Sequence, residues 1–489
     1  VKTVSVAALE LLSAAEMRKA DKLAAEAGTP PYELMEKAGA AVADAIVSRH
    51  APQPTLVICG PGNNGGDGLV VARILAAGRW PVRVALSCDP AALAGDAARA
   101  AAWWSGPLEP LSTDLLDGKT LIVDALFGSG LSRPITGEVR GMIEAVNSQQ
   151  LDVVSIDIPS GINSDTGVVM GAAIKAKTTI TFFRKKPGHL LLPGREYCSE
   201  VQLSDIGIPD SVLATIRPKL WQNDPALWLK RYPWPQPSQY KYDRGHVLVI
   251  GGEMTGAGRL AAHAAQRIGA GLVTVACPEK VTAIYAGSSP SLIVQGYKDP
   301  AEIEKILQKR KVNCVLVGPG AGLDQNLVII LHIVLAQDIP VVFDADALTM
   351  LGEKKDLRQQ LKPHHVLTPH DGEYKRLFSF EGSRVERAVK ASKESSATLI
   401  LKGSDTVVAD NEGRVSINAN APPWLATAGA GDTLAGFTSG LLAQGMAPFD
   451  AASMAVWVHG ECASLFGHGL IADDLAGQVP AVLRSLKAI

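Results

Sequence analysis

Apolar residues along this chain fall into two recurring patterns. Short unbroken runs end at Gly, Pro, Asn or Asp, and longer stretches carry a hydrophobic residue at every third or fourth position. The first pattern is that of strands buried on both faces, the second that of helices lying on a sheet. Residues 13 to 49 alternate Leu, Met, Ala and Val with charged positions at helical spacing and break at Gly28 to Pro31, which predicts two helices. A strand over Thr55 to Cys59, a loop Gly60 to Gly68, a helix through Ala77 and a strand Val82 to Ser87 make a βαβ unit. Further strands are expected at Leu121 to Asp124, Val153 to Asp157, Thr179 to Phe183 and Glu200 to Leu203. The second half repeats the alternation. It has strands at His246 to Gly252, Leu272 to Cys277, Val312 to Val317, Pro340 to Asp344, Val366 to Thr368 and Thr398 to Leu401, and a helix between the first two, ending at Gly269. Strands alternating with helices predict α/β architecture with a mostly parallel sheet in each half. No sequence repeat relates the halves, so two distinct domains are expected.

Length agrees, since 489 residues exceed one typical core. Between Ile216 and Asp243 lie Pro218, Pro225, Pro233, Pro235 and Pro237 with Trp221, Trp228 and Trp234. This composition predicts a stiff, extended linker whose tryptophans pack on a domain surface, with domains 1–222 and 223–489 on either side. The 47 basic and 49 acidic residues nearly cancel and no basic tail appears, which argues against nucleic acid and acidic membranes as partners and favours small-molecule chemistry. Cys59, Cys88, Cys198, Cys277, Cys314 and Cys462 show no metal spacing and read as thiols in a reducing compartment. The N-terminus has Lys2 but no apolar signal region, and the longest apolar run, Leu327 to Ala336, is too short to span a bilayer. A cytoplasmic protein is expected.

Candidate chemistry in the first half sits where strands end. The stretch Gly60-Pro61-Gly62-Asn63-Asn64-Gly65-Gly66-Asp67-Gly68 contains GxGxxG, yet the first acidic residue after the second strand, Asp89, lies beyond the ribose-binding spacing of about 20 residues. Asn63, Asn64 and Asp67 crowd the same turn and read as a pocket floor, although such residues also support positive-φ turns. Asp124 and Asp157 close two more strands, and strand carboxyl ends of a parallel sheet converge on a ligand crevice. Either could instead stabilise its own turn. Arg184-Lys185-Lys186 reads as a solvated turn rather than a phosphate clamp, and His189 as structural.

Taken together, Gly-Asn-Asn-Gly-Gly-Asp at 62–67, Val-Asp-Ala-Leu-Phe-Gly-Ser-Gly at 123–130 and Asp-Ile-Pro-Ser-Gly at 157–161 resemble the NAD(P)H-hydrate epimerase domain over residues 10 to 220. The resemblance implies a Rossmann-like three-layer sheet. It implies a hydrated-nucleotide site at Asn63, Asn64, Gly65, Gly66, Asp67, Gly128, Ser129, Gly130, Leu131, Ser132, Arg133, Pro134 and Asp157. It also implies a potassium ion near Asn64, Asp124 and Ser160. Interconverting R and S hydrates needs an acid/base near C6 of the ring, for which Asp157 is the candidate and Asp124 the reserve. Non-catalytic relatives with this pocket exist, so a binding module is the alternative.

In the second half, residues 426 to 436 (Ala-Thr-Ala-Gly-Ala-Gly-Asp-Thr-Leu-Ala-Gly) open an apolar helical pattern through Leu434, Phe437, Leu441 and Leu442, so a helix is expected to begin near Asp432. Gly429, Gly431 and Gly436 would let backbone N–H groups converge on a phosphoryl group at the helix mouth. Asp432 there is either the base that takes a proton from an attacking hydroxyl or an N-cap. Upstream, Lys402-Gly403-Ser404-Asp405-Thr406 ends a strand and offers an ammonium and a hydroxyl to nucleotide phosphates. His370 and Glu373 have a spacing compatible with zinc but no third ligand, so capping is the simpler role.

These two motifs in this order resemble the ribokinase-like superfamily. Val317-Gly318-Pro319-Gly320-Ala321-Gly322 and Thr368-Pro369-His370-Asp371-Gly372-Glu373 are similar to its ADP-dependent NAD(P)H-hydrate dehydratases over residues 235 to 487. The resemblance assigns Gly322, His370, Asp371, Gly372, Glu373, Tyr374, Lys375, Arg376 and Asp432 to the S hydrate. It assigns Lys402, Gly403, Ser404, Asp405, Thr406, Thr427, Ala428, Gly429, Ala430 and Gly431 within the stretch from Pro422 to ADP. The chain departs from the family pattern at Asp371, where Pro is usual, at Ala430 within the glycine turn, and at Tyr240 to Arg244. Asp371 is expected to add charge beside the pocket. The implied co-substrate is ADP, with potassium and magnesium as candidate cofactors, and a homo-oligomer is the expected assembly. A vitamin or sugar kinase fused to a nucleotide-binding module is the rival reading.

Overall fold

The computed structural model describes residues 9–117 and 120–488, and the expectation resting on Lys2 lies outside them. The chain forms two compact units, one up to Trp221 and one from Gln222 onward.

The strands of the first unit are β1 (Glu10–Leu11), β2 (Thr55–Cys59), β3 (Val82–Leu86), β4 (Leu108–Pro110), β5 (Leu121–Ala125), β6 (Val153–Ile156), β7 (Thr178–Phe182), β8 (Glu200–Ser204) and β9 (Leu220–Gln222). Seven of them form a parallel sheet in the order β4-β3-β2-β5-β6-β7-β8, while β1 pairs antiparallel with β9. Strand order reverses between β2 and β5, and such a reversal parts the following loops and opens a crevice at the carboxyl ends. Cores of Leu, Ile, Val and Ala lie on both faces of this sheet, which is why its strands read as continuous apolar runs. The two expected N-terminal helices are Ala14–Glu26, capped by Ser13, and Pro31–Arg49.

The second unit contains β10 (His246–Ile250), β11 (Leu272–Pro278), β12 (Ile293–Tyr297), β13 (Cys314–Val317), β14 (Val341–Phe343), β15 (Val366–Leu367), β16 (Thr398–Leu401), β17 (Val407–Ala409) and β18 (Val415–Ile417). Their order is β18-β17-β16-β15-β14-β13-β10-β11-β12. From β16 to β12 the sheet is parallel, and β17 and β18 return antiparallel. Here the order reverses between β10 and β13. The apolar segment Leu327 to Ala336 lies in the helix Gln325–Ala336, and among the described residues no helix is long and apolar enough to cross a membrane.

The expected extended linker is folded instead. Helical turns occupy Pro225–Trp228 and Leu229–Arg231. Trp228 is fully buried, edge-on to Trp457 at 5.8 Å, with its indole N–H donated to Asn223 at 3.2 Å. Proline at the first helical position favours such turns as readily as an extended chain, and burying an indole decides between them. All six cysteines are free, five of them buried.

Candidate active sites

In the first unit the loop after β2 is shorter than expected. The helix Asn63–Ala77 begins inside the expected loop Gly60 to Gly68, so Asn63 to Asp67 lie in its first turns. Their glycines serve packing. A Cβ on Gly66 would sit 2.5 Å from the Met35 methyl, one on Gly68 2.5 Å from the Ala125 methyl, and one on Gly65 would overlap the Gly60 carbonyl. The Gly65 and Gly68 contacts press the helix onto the ends of β2 and β5, while Gly66 fits it against the helix Pro31–Arg49.

Three separated segments meet at the crevice. Gly128, after β5, is so close to both neighbours that a Cβ would lie 2.8 Å from Asp157 Oδ2 and 3.0 Å from Asn64 Oδ1. The Ser129 N–H donates to Asp157 Oδ2 at 2.8 Å. Of the remaining expected residues on this loop, Leu131 is half-buried, while Ser132, Arg133 and Pro134 are exposed at the rim. Asp157 itself stands just past β6 with φ +66°, a left-handed conformation that a non-glycine residue holds only under constraint. The constraint is visible in its contacts. Lys186 Nζ donates to Oδ1 at 2.5 Å and to Thr181 Oγ1 at 2.9 Å, and Thr181 in turn donates to Oδ1 at 3.3 Å. The Asp157 carbonyl contacts His189 Nε2 at 2.8 Å, and His189 Nδ1 accepts from the Lys186 N–H at 2.9 Å, so Nε2 carries the proton. Burial pushes the Asp157 carboxyl up, but the Lys186 charge and hydrogen bond, helped by His189 and Ser129, hold it at about 2. Burial, reinforced by the Lys186 charge, pushes His189 down to about 4.

Lys186 is therefore neither solvated nor part of a phosphate clamp, correcting the expectation for Arg184-Lys185-Lys186. It is 1% exposed, and Arg184 is buried against Glu10 and Asp210. Two further carboxyls bear on Asp157. Burial, with Asp157 and Asp21 adding repulsion, raises Asp67 well above the carboxylate range. Burial and Asp157 likewise raise Asp21, on the first helix, to about 6 against the opposing pull of Lys186.

Asp124 turns away from this group. Its oxygens accept from Ser155 Oγ at 2.8 Å, the Ser160 N–H at 2.8 Å and Ser160 Oγ at 2.5 Å. Burial still raises its carboxyl, against those hydrogen bonds, and no cation is among the groups acting on it. Asn64 leaves a buried amide nitrogen without a partner, at an end where the oxygen could equally be assigned. A desolvated carboxylate, a hydroxyl and an unsatisfied amide suit a hard monovalent cation.

In the second unit the expected residues gather at the carboxyl ends of β14, β15 and β16. The helix opens at Ala430 with Gly429 as its N-cap at φ +85°, so Asp432 lies in the first turn, accepts no capping hydrogen bond and is not an N-cap. Gly431 faces Lys402, whose Nζ would be 3.4 Å from a Cβ at that position. Lys402 Nζ donates to Asp344 Oδ1 at 2.7 Å and lies 3.7 Å from Glu373. Burial lowers the lysine, but Asp344 and Glu373 raise it on balance. For Asp432, burial, Asp344, Asp346 and Glu373 outweigh Lys402 and lift the carboxyl to about 6. Gly436 is not part of the cradle, because a Cβ there would strike the Ala261 carbonyl of the helix Thr255–Arg267.

Other expectations are redistributed. His370 is the N-cap of the helix Asp371–Leu377: Nδ1 accepts from Gly372 N–H at 2.9 Å while Glu373 accepts from His370 N–H at 2.8 Å. Among the described residues no group of three His, Cys, Asp or Glu side chains converges as a metal cage. Tyr374 is 1% exposed with its hydroxyl on the Arg387 carbonyl at 2.9 Å, so it faces the interior rather than a ligand. Lys375 and Arg376 are exposed. Asp371 adds no net charge, since Arg384 and Arg387 donate to it at 3.0 and 2.8 Å and hold its carboxyl below the usual range despite burial. Arg384 also bonds the Lys402 carbonyl and lies 3.2 Å from Asp405. Thr406 closes its own turn, its hydroxyl donating to the Gly403 carbonyl at 2.7 Å, which leaves Ser404 as the exposed hydroxyl of the corner. Gly322, at φ +87°, donates its N–H to Asp346 at 2.8 Å. Thr427 and Ala428 precede the helix mouth, and the Ala430 N–H bonds the Thr427 carbonyl at 3.3 Å. A crevice of about 380 Å³ lies at the carboxyl ends of β10, β11 and β12, lined by Gly251, Pro278, Tyr297 and Ala321.

Asp344 and Arg384 were not singled out by sequence, and Lys186 was read as part of a solvated turn. Asp344 carried a usable signal, because it ends a strand as Asp124 and Asp157 do. A buried lysine and a bridging arginine have none.

Two α/β units with polar clusters at strand carboxyl ends define a fused enzyme of nucleotide chemistry, and comparison with known proteins makes the class specific. Residues 31–188 match the family model described as YjeF-related protein N-terminus, and residues 247–476 that described as NAD(P)H-hydrate dehydratase. The chain belongs to the bifunctional NAD(P)H-hydrate repair enzymes. It is 34% identical to such an enzyme from Thermofilum pendens, with 98% of this chain and 97% of that one covered. With that of Coxiella burnetii it shares 36% identity over 94% and 96% of the two chains. A solved ADP/ATP-dependent NAD(P)H-hydrate dehydratase from Bacillus subtilis is 27% identical, covering 52% of this chain and 94% of that one, with TM-score 0.46.

Proposed function

We propose that the chain repairs hydrated NADH and NADPH, with epimerase residues in 1–222 and dehydratase residues in 223–489. In the first site Asp157, ionised and anchored by Lys186, exchanges the proton of the hydrate's C6 hydroxyl while a bond at C6 opens and closes, interconverting R and S forms. Asn64, Asp124 and Ser160 would hold a potassium ion, whose charge would compensate the buried Asp124 carboxylate.

In the second site Asp432 accepts the hydroxyl proton of the S hydrate as the terminal phosphoryl group of ADP moves to that oxygen, with Lys402 and the N–H groups at Gly429 to Gly431 facing the transferred charge. Phosphate leaves far more readily than hydroxide. The ring nitrogen's lone pair then expels it, and loss of a proton from C5 of the resulting iminium restores the dihydronicotinamide, with AMP and inorganic phosphate released. The observation carrying this reading is that Asp432 stands uncapped at a helix mouth beside Lys402, with a carboxyl poised near neutrality. Asp432→Ala is expected to bind ADP and release no phosphate, and wild-type dehydration by that variant would refute the assignment. A vitamin or sugar kinase would retain a stable phosphorylated product and release no inorganic phosphate in the same assay. Magnesium accompanying the nucleotide, a reducing cytoplasmic setting for six free thiols, and a homo-oligomer checked by sedimentation complete the proposal.

A further inference from the structure

A cavity of about 740 Å³ in the second unit has no part in either cluster. It lies at the opposite end of the sheet, where His246, Leu272 and Ile293 begin β10, β11 and β12. Lys241, Lys305, Lys309, Arg310 and Lys311 line it, and among the described residues none of the five forms an ion pair. The one acid in its wall, Glu302, is engaged with the N–H groups of Lys298 and Asp299 at 3.4 and 3.2 Å. In a chain with net charge −2, five cations against one carboxylate leave an excess of four positive charges (5 − 1) around one cavity, and they repel one another unless an anion joins them. Leu272, Ile293 and Ile306 supply an apolar wall, and the Tyr242 ring stands 61% exposed at the edge.

We propose that this cavity is a second nucleotide site, with the cations on the phosphate chain and the apolar wall and Tyr242 against the base. Several point charges select a polyanion, and a flat apolar wall distinguishes a nucleotide from bare phosphate. The volume suits a small molecule, which occupies about 300–1,000 Å³.

Equilibrium dialysis of ADP against the full chain tests this. Wild type is expected to bind one more ADP per chain than Lys305→Glu/Arg310→Glu, while both dehydrate at the same rate at saturating ADP. Lys311→Ala, a milder change at an exposed position, is expected to weaken the extra site about tenfold. Equal ADP counts in wild type and the double variant would overturn the proposal. So would inorganic triphosphate binding the extra site as tightly as ATP, since the base would then have no seat. The difference in counts carries the inference, so failure of the catalytic assignment would lower both counts together and be recognised as such.

Discussion

At the scale of single residues, Asp432 and Asp157 are both carboxylates at the carboxyl end of a sheet, and their surroundings drive them apart. Asp432 is lifted to about 6 by burial and three neighbouring acids, so below that pH it is protonated and cannot act as a base. Dehydration kcat/KM is therefore expected to rise with pH through about 6 and level off above it, with Asp432→Asn lowering the plateau by about 10² or more. A pH–rate series with wild type and variant checks both. Asp157 behaves oppositely. Its folded value of about 2 lies below the ordinary 3.8, so the stability it contributes is present above pH 3.8 and is lost as pH falls toward 2, on the order of 2 kcal/mol. Removing its partner is harsher. Lys186→Met strands a buried carboxylate and should destabilise the first unit by about 3–5 kcal/mol and abolish epimerisation, read by denaturant melts and chromatography of the two epimers. Asp432 and Asp157 were legible in the sequence because a carboxylate at a helix mouth or strand end is conspicuous. Lys186 was not, because Arg184-Lys185-Lys186 looks the same whether it is solvated or buried.

At the scale of elements, glycines that suggest a phosphate cradle divide into two kinds. Gly429 holds a left-handed cap that a side chain would strain, and Gly431 keeps space in front of Lys402. Gly436, Gly66 and Gly68 instead permit close packing of helices. Gly436→Ala should cost about 1–3 kcal/mol of stability through overpacking against the helix Thr255–Arg267, while the ADP affinity of the folded fraction stays unchanged. A thermal melt and a titration separate these outcomes. Arg384 marks the other kind of element-level device, tying the Lys402 carbonyl to Asp371 and Asp405 across three segments. The strands predicted from buried apolar runs, such as Thr55–Cys59, lie within two residues of their observed bounds, whereas β1, β4, β9, β12, β17 and β18 were not anticipated. Nor was the glycines' division, since a packing glycine and a cradle glycine differ only in what stands opposite. Pro225 to Arg231 misled for a related reason, because prolines permit an extended chain and a helical start alike.

At the scale of the whole molecule, both units use one solution. Strand order reverses between β2 and β5 in one sheet and between β10 and β13 in the other, and the chemistry-bearing residues collect at the carboxyl ends. This much follows from alternating strand and helix patterns, which fix parallel connections and hence the end where ligands bind. Two sites on one chain suit a substrate whose R and S forms equilibrate while only one is consumed. The central claim is that the first unit supplies the stereoisomer that the second repairs. The most direct measurement is recovery of dihydronicotinamide absorbance from mixed epimers of hydrated NADH with excess ADP, compared between wild type and Asp157→Asn. Complete recovery by wild type is expected, and recovery by the variant should stop at the S fraction apart from slow spontaneous epimerisation. Identical full recovery by both proteins at the same rate would contradict the account.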